Sequence, residues 1–291
     1  STAWGTSPSP CSGGPRPNPP RPPDSTASHR AIAGPARPRL LAVFAHPDDE
    51  SLSCGGTLAR CADAGVAITL VCATRGEAGS INPELGIARE VLGDVREEDW
   101  RETAKSLCVQ DLAVLRHPDG LLQWLEPQRV ERDLAEVFDR ASPDAVLTFG
   151  ADGLYWHPDH IAIAARTAAV VHARASSRPA VLYEVTMPAS AMAGLMTALE
   201  ARTSTSALAP WGLDPAAFGK GALPPTVVVD VTTHIDRKLA ALACHRSQLG
   251  PDNPLTHLDR DLALRHLGVE HFHVAPDSPV GGALLEDVVA R

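Results

Sequence analysis

One histidine, two aspartates and a glutamate crowd into five residues, His46-Pro47-Asp48-Asp49-Glu50. Three adjacent carboxylates repel one another unless something positive compensates. A divalent cation would do so, and imidazole plus carboxylate suits Zn²⁺. The bland alternative is the acidic first turn of a helix, stabilised by the helix dipole. A second segment, Tyr155-Trp156-His157-Pro158-Asp159-His160, places two histidines three apart at the start of a predicted helix, where both can face one side. A catalytic zinc takes three protein ligands and keeps a position open for water. Two ligands from one segment and one from the other make that count. The chemistry such a site performs is metal-assisted hydrolysis, with a carboxylate beside the ion to accept the proton of water.

The elements that must bring these segments together are legible as apolar runs. Leu40–Ala45 is continuous and apolar, as a strand buried on both faces requires. Val66–Ala73, Leu112–Leu115, Ala145–Phe149, Val181–Thr186, Thr226–Val231 and 269–274 read as further strands. Helices are predicted at about 53–64, 96–107, 127–141, 158–175, 188–200, from Thr232 or Thr233 to Leu249, and at 258–267. Strands alternating with helices mean βαβ units. The predicted fold is α/β, a Rossmann-like doubly wound, mostly parallel sheet with helices on both faces. Ligands in such sheets bind beyond the carboxyl ends of the strands. His46 follows the first strand and His157 follows the fourth, so the two polar segments can share one crevice.

Residues 1–38 stand apart. They hold ten of the 26 prolines, mixed with Ser, Gly and Arg, and read as a disordered tail ahead of one domain at 39–291. A hydrophobic fraction of 44% supports a real core in that domain, and with only 4% aromatics its packing must be aliphatic. The net charge of −9 comes without any basic stripe, which argues against nucleic acid as a partner. No run of 18 apolar residues or signal-peptide core is present, so a cytoplasmic protein without a membrane span is expected. The six cysteines form no CxxC pair and read as buried hydrophobes in a reducing compartment. There is no GxGxxG fingerprint after a strand for a nucleotide cofactor, and no serine-hydrolase elbow.

With AHPDDE at 45–50, TRGE at 74–77, HPDG at 117–120, HPDH at 157–160 and KLAALACHRSQ at 238–248, the sequence resembles the LmbE-like, or PIG-L-type, zinc-dependent de-N-acetylases. The resemblance spans about residues 40–275 and is carried mainly by AHPDDE and HPDH in this order. It implies removal of an N-acetyl group from an amino sugar of the N-acetylglucosamine type, or from its conjugate. It implies His46, Asp49 and His160 as metal ligands, Asp48 as general base, and His157 as the group that stabilises the oxyanion and assists the leaving amine. It implies substrate contacts for Arg75 and Asp119, with Asp119 also orienting His157, and an oxyanion-stabilising role for Tyr155. A His₂Asp set also accepts Fe²⁺, Co²⁺ or Mn²⁺.

Segments 78–116 and 188–225 depart from mycothiol-pathway relatives, which leaves open an amidase acting on a larger, mycothiol-conjugate acyl-amide. A non-catalytic metal-binding module is the rival of another class, and the intact Asp48 and His157 argue against it. The expected partner is a small N-acetylated sugar, and assembly as a homo-oligomer is compatible with the sequence. Glu50 and Asp159 are expected to support the site rather than ligate metal. His245, His271 and His273 read as structural.

Overall fold

In a computed structural model, which describes residues 37–203, 214–276, 278 and 284–289, seven strands form one sheet in the order β3-β2-β1-β4-β5-β7-β6. These are β1 (Arg39–Phe44), β2 (Ala67–Cys72), β3 (Asp111–Val114), β4 (Ala145–Phe149), β5 (Val181–Thr186), β6 (Val227–Asp230) and β7 (Val269–Val274). The first five run parallel, and β7 runs antiparallel to both β5 and β6. The sheet is therefore mostly parallel, as the βαβ rhythm predicts. Of the predicted tail at 1–38, residues 1–36 lie outside the described residues, as do 204–213 of the segment 188–225.

The helices are α1 (Asp49–Asp63), α2 (Leu92–Leu107), α3 (Pro127–Ala141), the single turn α4 (Gly153–Trp156), α5 (Pro158–Arg174), α6 (Ala191–Thr203), α7 (Ile235–Cys244), α8 (Arg260–Leu267) and α9 (Leu284–Val289). The core is aliphatic along β1, β2 and β4, where every residue from Leu40 to Ala45 is buried. Phe44 and Phe149 meet edge to face at 5.0 Å under the site. Among the described residues, no helix is long and apolar enough to cross a membrane.

Winding runs outward from β1 through β2 to β3, then reverses through β4 and β5. The switch point lies between β1 and β4, where an open α/β sheet leaves a crevice. The two polar segments emerge on either side of it.

Among the boundaries that differ from the sequence expectation, two bear on the site. Helix α1 begins at Asp49 rather than near residue 53, because Asp49 and Glu50 suit the positive end of a helix dipole. Helix α7 ends at Cys244 instead of Leu249. His245 leaves helical geometry (φ −78°, ψ 51°), and Asp99 accepts the Ser247 N–H at 3.1 Å, drawing the following loop to the site.

Candidate active site

Asp48 marks the passage from β1 into α1. Its φ of 127° is a strained backbone for a residue with a side chain. That turn returns the Asp49 carboxylate toward His46, whose N–H donates to Asp49 Oδ2 at 2.7 Å. On the opposite side, Pro158 starts α5 and His157 caps it, its Nδ1 accepting the Asp159 N–H at 3.2 Å. His160 follows in the first turn, its ring stacked on Phe149 at 3.9 Å.

The outer partners of His46 and His160 bear on where their ring hydrogens lie. His46 Nε2 faces Asp119 Oδ1 at 3.1 Å and Asp159 Oδ2 at 3.4 Å, which keeps a hydrogen on Nε2 and, in the neutral ring, leaves Nδ1 bare. His160 Nδ1 donates to the Gly153 carbonyl at 3.0 Å, which leaves Nε2 bare. The bare nitrogens lie 3.1 Å apart. Asp49 completes the set, with Oδ2 3.4 Å from His46 Nδ1 and Oδ1 3.2 Å from His160 Nε2. The two imidazole nitrogens and the carboxylate thus face one another, Asp49 meeting His46 through Oδ2 and His160 through Oδ1. For an ion 2.0–2.1 Å from N and O ligands, the edges of a tetrahedron are about 3.3 Å. The N and O donor types and their 3.1–3.4 Å spacing are compatible with a divalent cation held by these three residues.

Two other trios come within 4.8 Å, His46 with His157 and His160, and His46 with Asp119 and Asp159. Neither aims all its free lone pairs at one point. The Nδ1 of His157 is taken by a backbone N–H, and the two aspartates face the protonated edge of His46.

The electrostatics agree. Burial alone would lower the His46 pKa, but Asp49, Asp119 and Asp159 raise it well above the usual imidazole range. Burial alone would raise Asp49, but His160 and His46 pull it well below the usual carboxylate range. Both directions describe a point that attracts positive charge. Burial, then the His160 and His46 rings, push His157 down to about 4, so it is neutral at neutral pH with its hydrogen on Nε2. Asp48 is raised, by burial and by Asp49, against the opposing Arg96 guanidinium. Burial, Asp49 and Asp48 keep the Tyr155 phenol protonated, as a donor.

A cavity of about 380 Å³ opens over these groups. His46, Asp48, Asp49, Asp119, Tyr155 and His157 line it. Arg75, expected to meet substrate, is not among the lining residues; its Nη1 bonds Asp94 Oδ1 at 2.5 Å. Arg96 takes that place. It is 4% exposed, and it donates to the Gly76 carbonyl at 2.7 Å, the Pro47 carbonyl at 2.7 Å and Asp48 Oδ2 at 3.0 Å. A Cβ on Gly76 or Gly79 would stand 2.3 Å from Arg96 Nη1, so these glycines make its path. Asp119, expected to orient His157, instead bonds His46 and the Ala78 N–H. Asp159 is fully buried and accepts the Gly120 and Leu122 N–H groups at 2.7 and 3.0 Å. His245 and Gln248 reach the far wall, where Gln248 and Ser80 exchange two hydrogen bonds.

Residues 41–171 match the family described as PIG-L, GlcNAc-PI de-N-acetylase. The 1D-myo-inositol 2-acetamido-2-deoxy-alpha-D-glucopyranoside deacetylase of Kineococcus radiotolerans is 34% identical over 260 residues, 74% of this chain and 70% of that protein. The chain belongs to the GlcNAc-PI de-N-acetylase family. The family fold extends to solved structures. The N,N'-diacetylchitobiose deacetylase of Pyrococcus horikoshii superposes with a TM-score of 0.55 at 23% identity, covering 83% of this chain and 87% of that one. A 4-carboxy-2-hydroxymuconate hydratase from Pseudomonas putida reaches the same TM-score at 18% identity, covering 84% and 98%. Because a hydratase shares the fold, membership of the family and the groups in the crevice must carry the reading of function.

Proposed function

We propose that this protein is a divalent-metal N-deacetylase of an N-acetylglucosamine-type sugar, with His46, Asp49 and His160 holding Zn²⁺. The convergence of His46 Nδ1, His160 Nε2 and the Asp49 carboxylate at 3.1–3.4 Å carries the reading. The named relative points to a 2-acetamido-2-deoxyglucoside linked to inositol as the substrate class. Bound there, the cation would polarise the amide carbonyl and lower the pKa of water toward ~7.

The chain's own residues do the rest. Asp48, held by Arg96, accepts the proton of the attacking water. The Nε2–H of His157 and the Tyr155 hydroxyl donate to the oxygen on which negative charge develops. The amine needs a proton before it can leave. His157 is neutral and has only the hydrogen it is donating, so the newly protonated Asp48 delivers it. Arg96 and Asp119, both on the cavity wall, bind sugar hydroxyls.

The test is amine release from a panel of 2-acetamido-2-deoxyglucosides, inositol-linked ones included, by protein stripped of metal and reloaded with one equivalent of Zn²⁺. Metal-dependent release that Asp48→Asn abolishes is the expected result. Release only from substrates with acyl groups larger than acetyl would replace the deacetylase reading with an amidase. No release despite one tightly bound metal would sink hydrolysis.

A further inference from the structure

Helix α1 is two helices in one. At Cys54 the backbone leaves helical geometry (φ −149°, ψ 16°), just ahead of the pair Gly55-Gly56. Small residues are where sharp kinks form, and here the packing needs them: a Cβ on Gly56 would stand 2.5 Å from Val231 Cβ. Side chains from two distant elements bind the backbone on either side of the kink. Lys238 Nζ of α7 donates to the Leu52 carbonyl at 2.8 Å. Glu270 of β7 accepts the Gly56 N–H on Oε1 at 2.9 Å and the Thr57 N–H on Oε2 at 2.7 Å. The two side chains meet at 2.5 Å, with Lys238 1% and Glu270 3% exposed.

Burying both charges is poorly explained by stability. Apolar replacement of such a pair is often neutral or stabilising, because desolvation opposes the attraction. What the pair does is hold a direction. The short piece of α1 ahead of the kink carries Asp49 and Glu50, and Leu52 and Ser53 of that piece line the cavity. Ser51 and Leu52 donate their N–H groups to the Asp48 carbonyl at 3.1 and 3.4 Å. Lys238 therefore grips one end of the residue whose other end bonds the proposed base.

We propose that Lys238 and Glu270 are positioning residues: they fix the angle at which the first turn of α1 enters the crevice, and with it the placement of Asp48 and Asp49 against His46 and His160. The inference rests on the deacetylase reading for its kinetics, and on the metal centre alone for its spectroscopy.

The experiment compares full-length wild type with K238M/E270M, which removes both charges at similar volume. It reads melting temperature, Zn²⁺ affinity, the visible d–d spectrum of the Co²⁺-loaded protein, and kcat against KM. The variant is expected to fold with an altered Co²⁺ spectrum and Zn²⁺ affinity weakened about 10- to 100-fold, the range for outer-shell changes. Its kcat falls by a similar factor while KM moves little. A variant with the wild-type spectrum, metal affinity and kcat, differing only in melting temperature, would make the pair merely structural and overturn the proposal. Should the double variant be insoluble, E270Q is read by the same spectrum and affinity with the same two outcomes. If wild type binds metal but releases no amine, the deacetylase reading fails while the Co²⁺ spectrum still decides the role of the pair.

Discussion

Arg96 Nη2 lies 3.0 Å from Asp48 Oδ2 and 2.7 Å from the Pro47 carbonyl, so one guanidinium holds both a half-buried carboxylate and the backbone before it. The positive charge opposes the rise in the Asp48 pKa that burial causes. Removing it with Arg96→Met raises that pKa further. Asp48 acts as a base only when ionised, so the acid limb of kcat/KM moves to higher pH. A pH–rate profile of the two proteins checks this, and an unmoved limb would assign it to another group.

Asp48 lies outside the converging donor set. Asp48→Asn is expected to keep the metal and lose about 10²- to 10⁴-fold in kcat, the scale of a general base. His46→Ala, Asp49→Ala and His160→Ala are expected to lose the metal itself. Metal content by elemental analysis beside turnover separates the two outcomes.

Asp159 holds a proposed ligand and a loop at once. Its carboxylate approaches His46 Nε2 at 3.4 Å and accepts the Gly120 and Leu122 N–H groups. Asp159→Ala leaves His46 with Asp119 as its remaining outer partner and frees two N–H groups. Titration against a competing chelator is expected to show Zn²⁺ affinity reduced about 10- to 100-fold.

His157→Ala removes a neutral donor and no metal ligand. The expected loss is about 10²- to 10³-fold in kcat, with metal content intact. Since His157 is held near 4 by burial and its histidine neighbours, its removal should leave the acid limb of Asp48 in place.

Stripping the metal should destabilise the fold. A ligand present at about a thousandfold excess over its Kd adds ~4 kcal/mol to the native state. Calorimetry with and without chelator should therefore show a lower Tm for the stripped protein, and Asp49→Ala should remove most of the difference.

The parallel strands were legible because burial on both faces leaves unbroken apolar runs such as Leu40–Ala45. The two polar segments were legible because AHPDDE follows β1 directly and HPDH follows β4 after one short turn, on either side of the switch point. Arg96 was not. In sequence it is one charge among many on an amphipathic helix, and its burial follows from three acceptors, two of them in a segment 48 and 49 residues away. Its only trace is the pair Gly76 and Gly79, whose missing side chains leave it room. Arg75 drew the substrate role from the resemblance carried by TRGE, whereas its side chain bonds Asp94. The early end of α7 was hidden as well, since the apolar spacing continues to Leu249 while Asp99 and the geometry of His245 redirect the chain.

The backbone at Asp48 sets folding against chemistry. Glycine would adopt a φ of 127° with ease, whereas a non-glycine residue there costs on the order of 1–3 kcal/mol. Asp48→Gly would relieve that strain but leave the buried Arg96 guanidinium without its carboxylate, so the lost pair offsets the gain while turnover is lost. Selection for thermal hardiness therefore gains nothing by relaxing this turn, and any hardened descendant that still hydrolyses its substrate must have gained its robustness elsewhere in the chain.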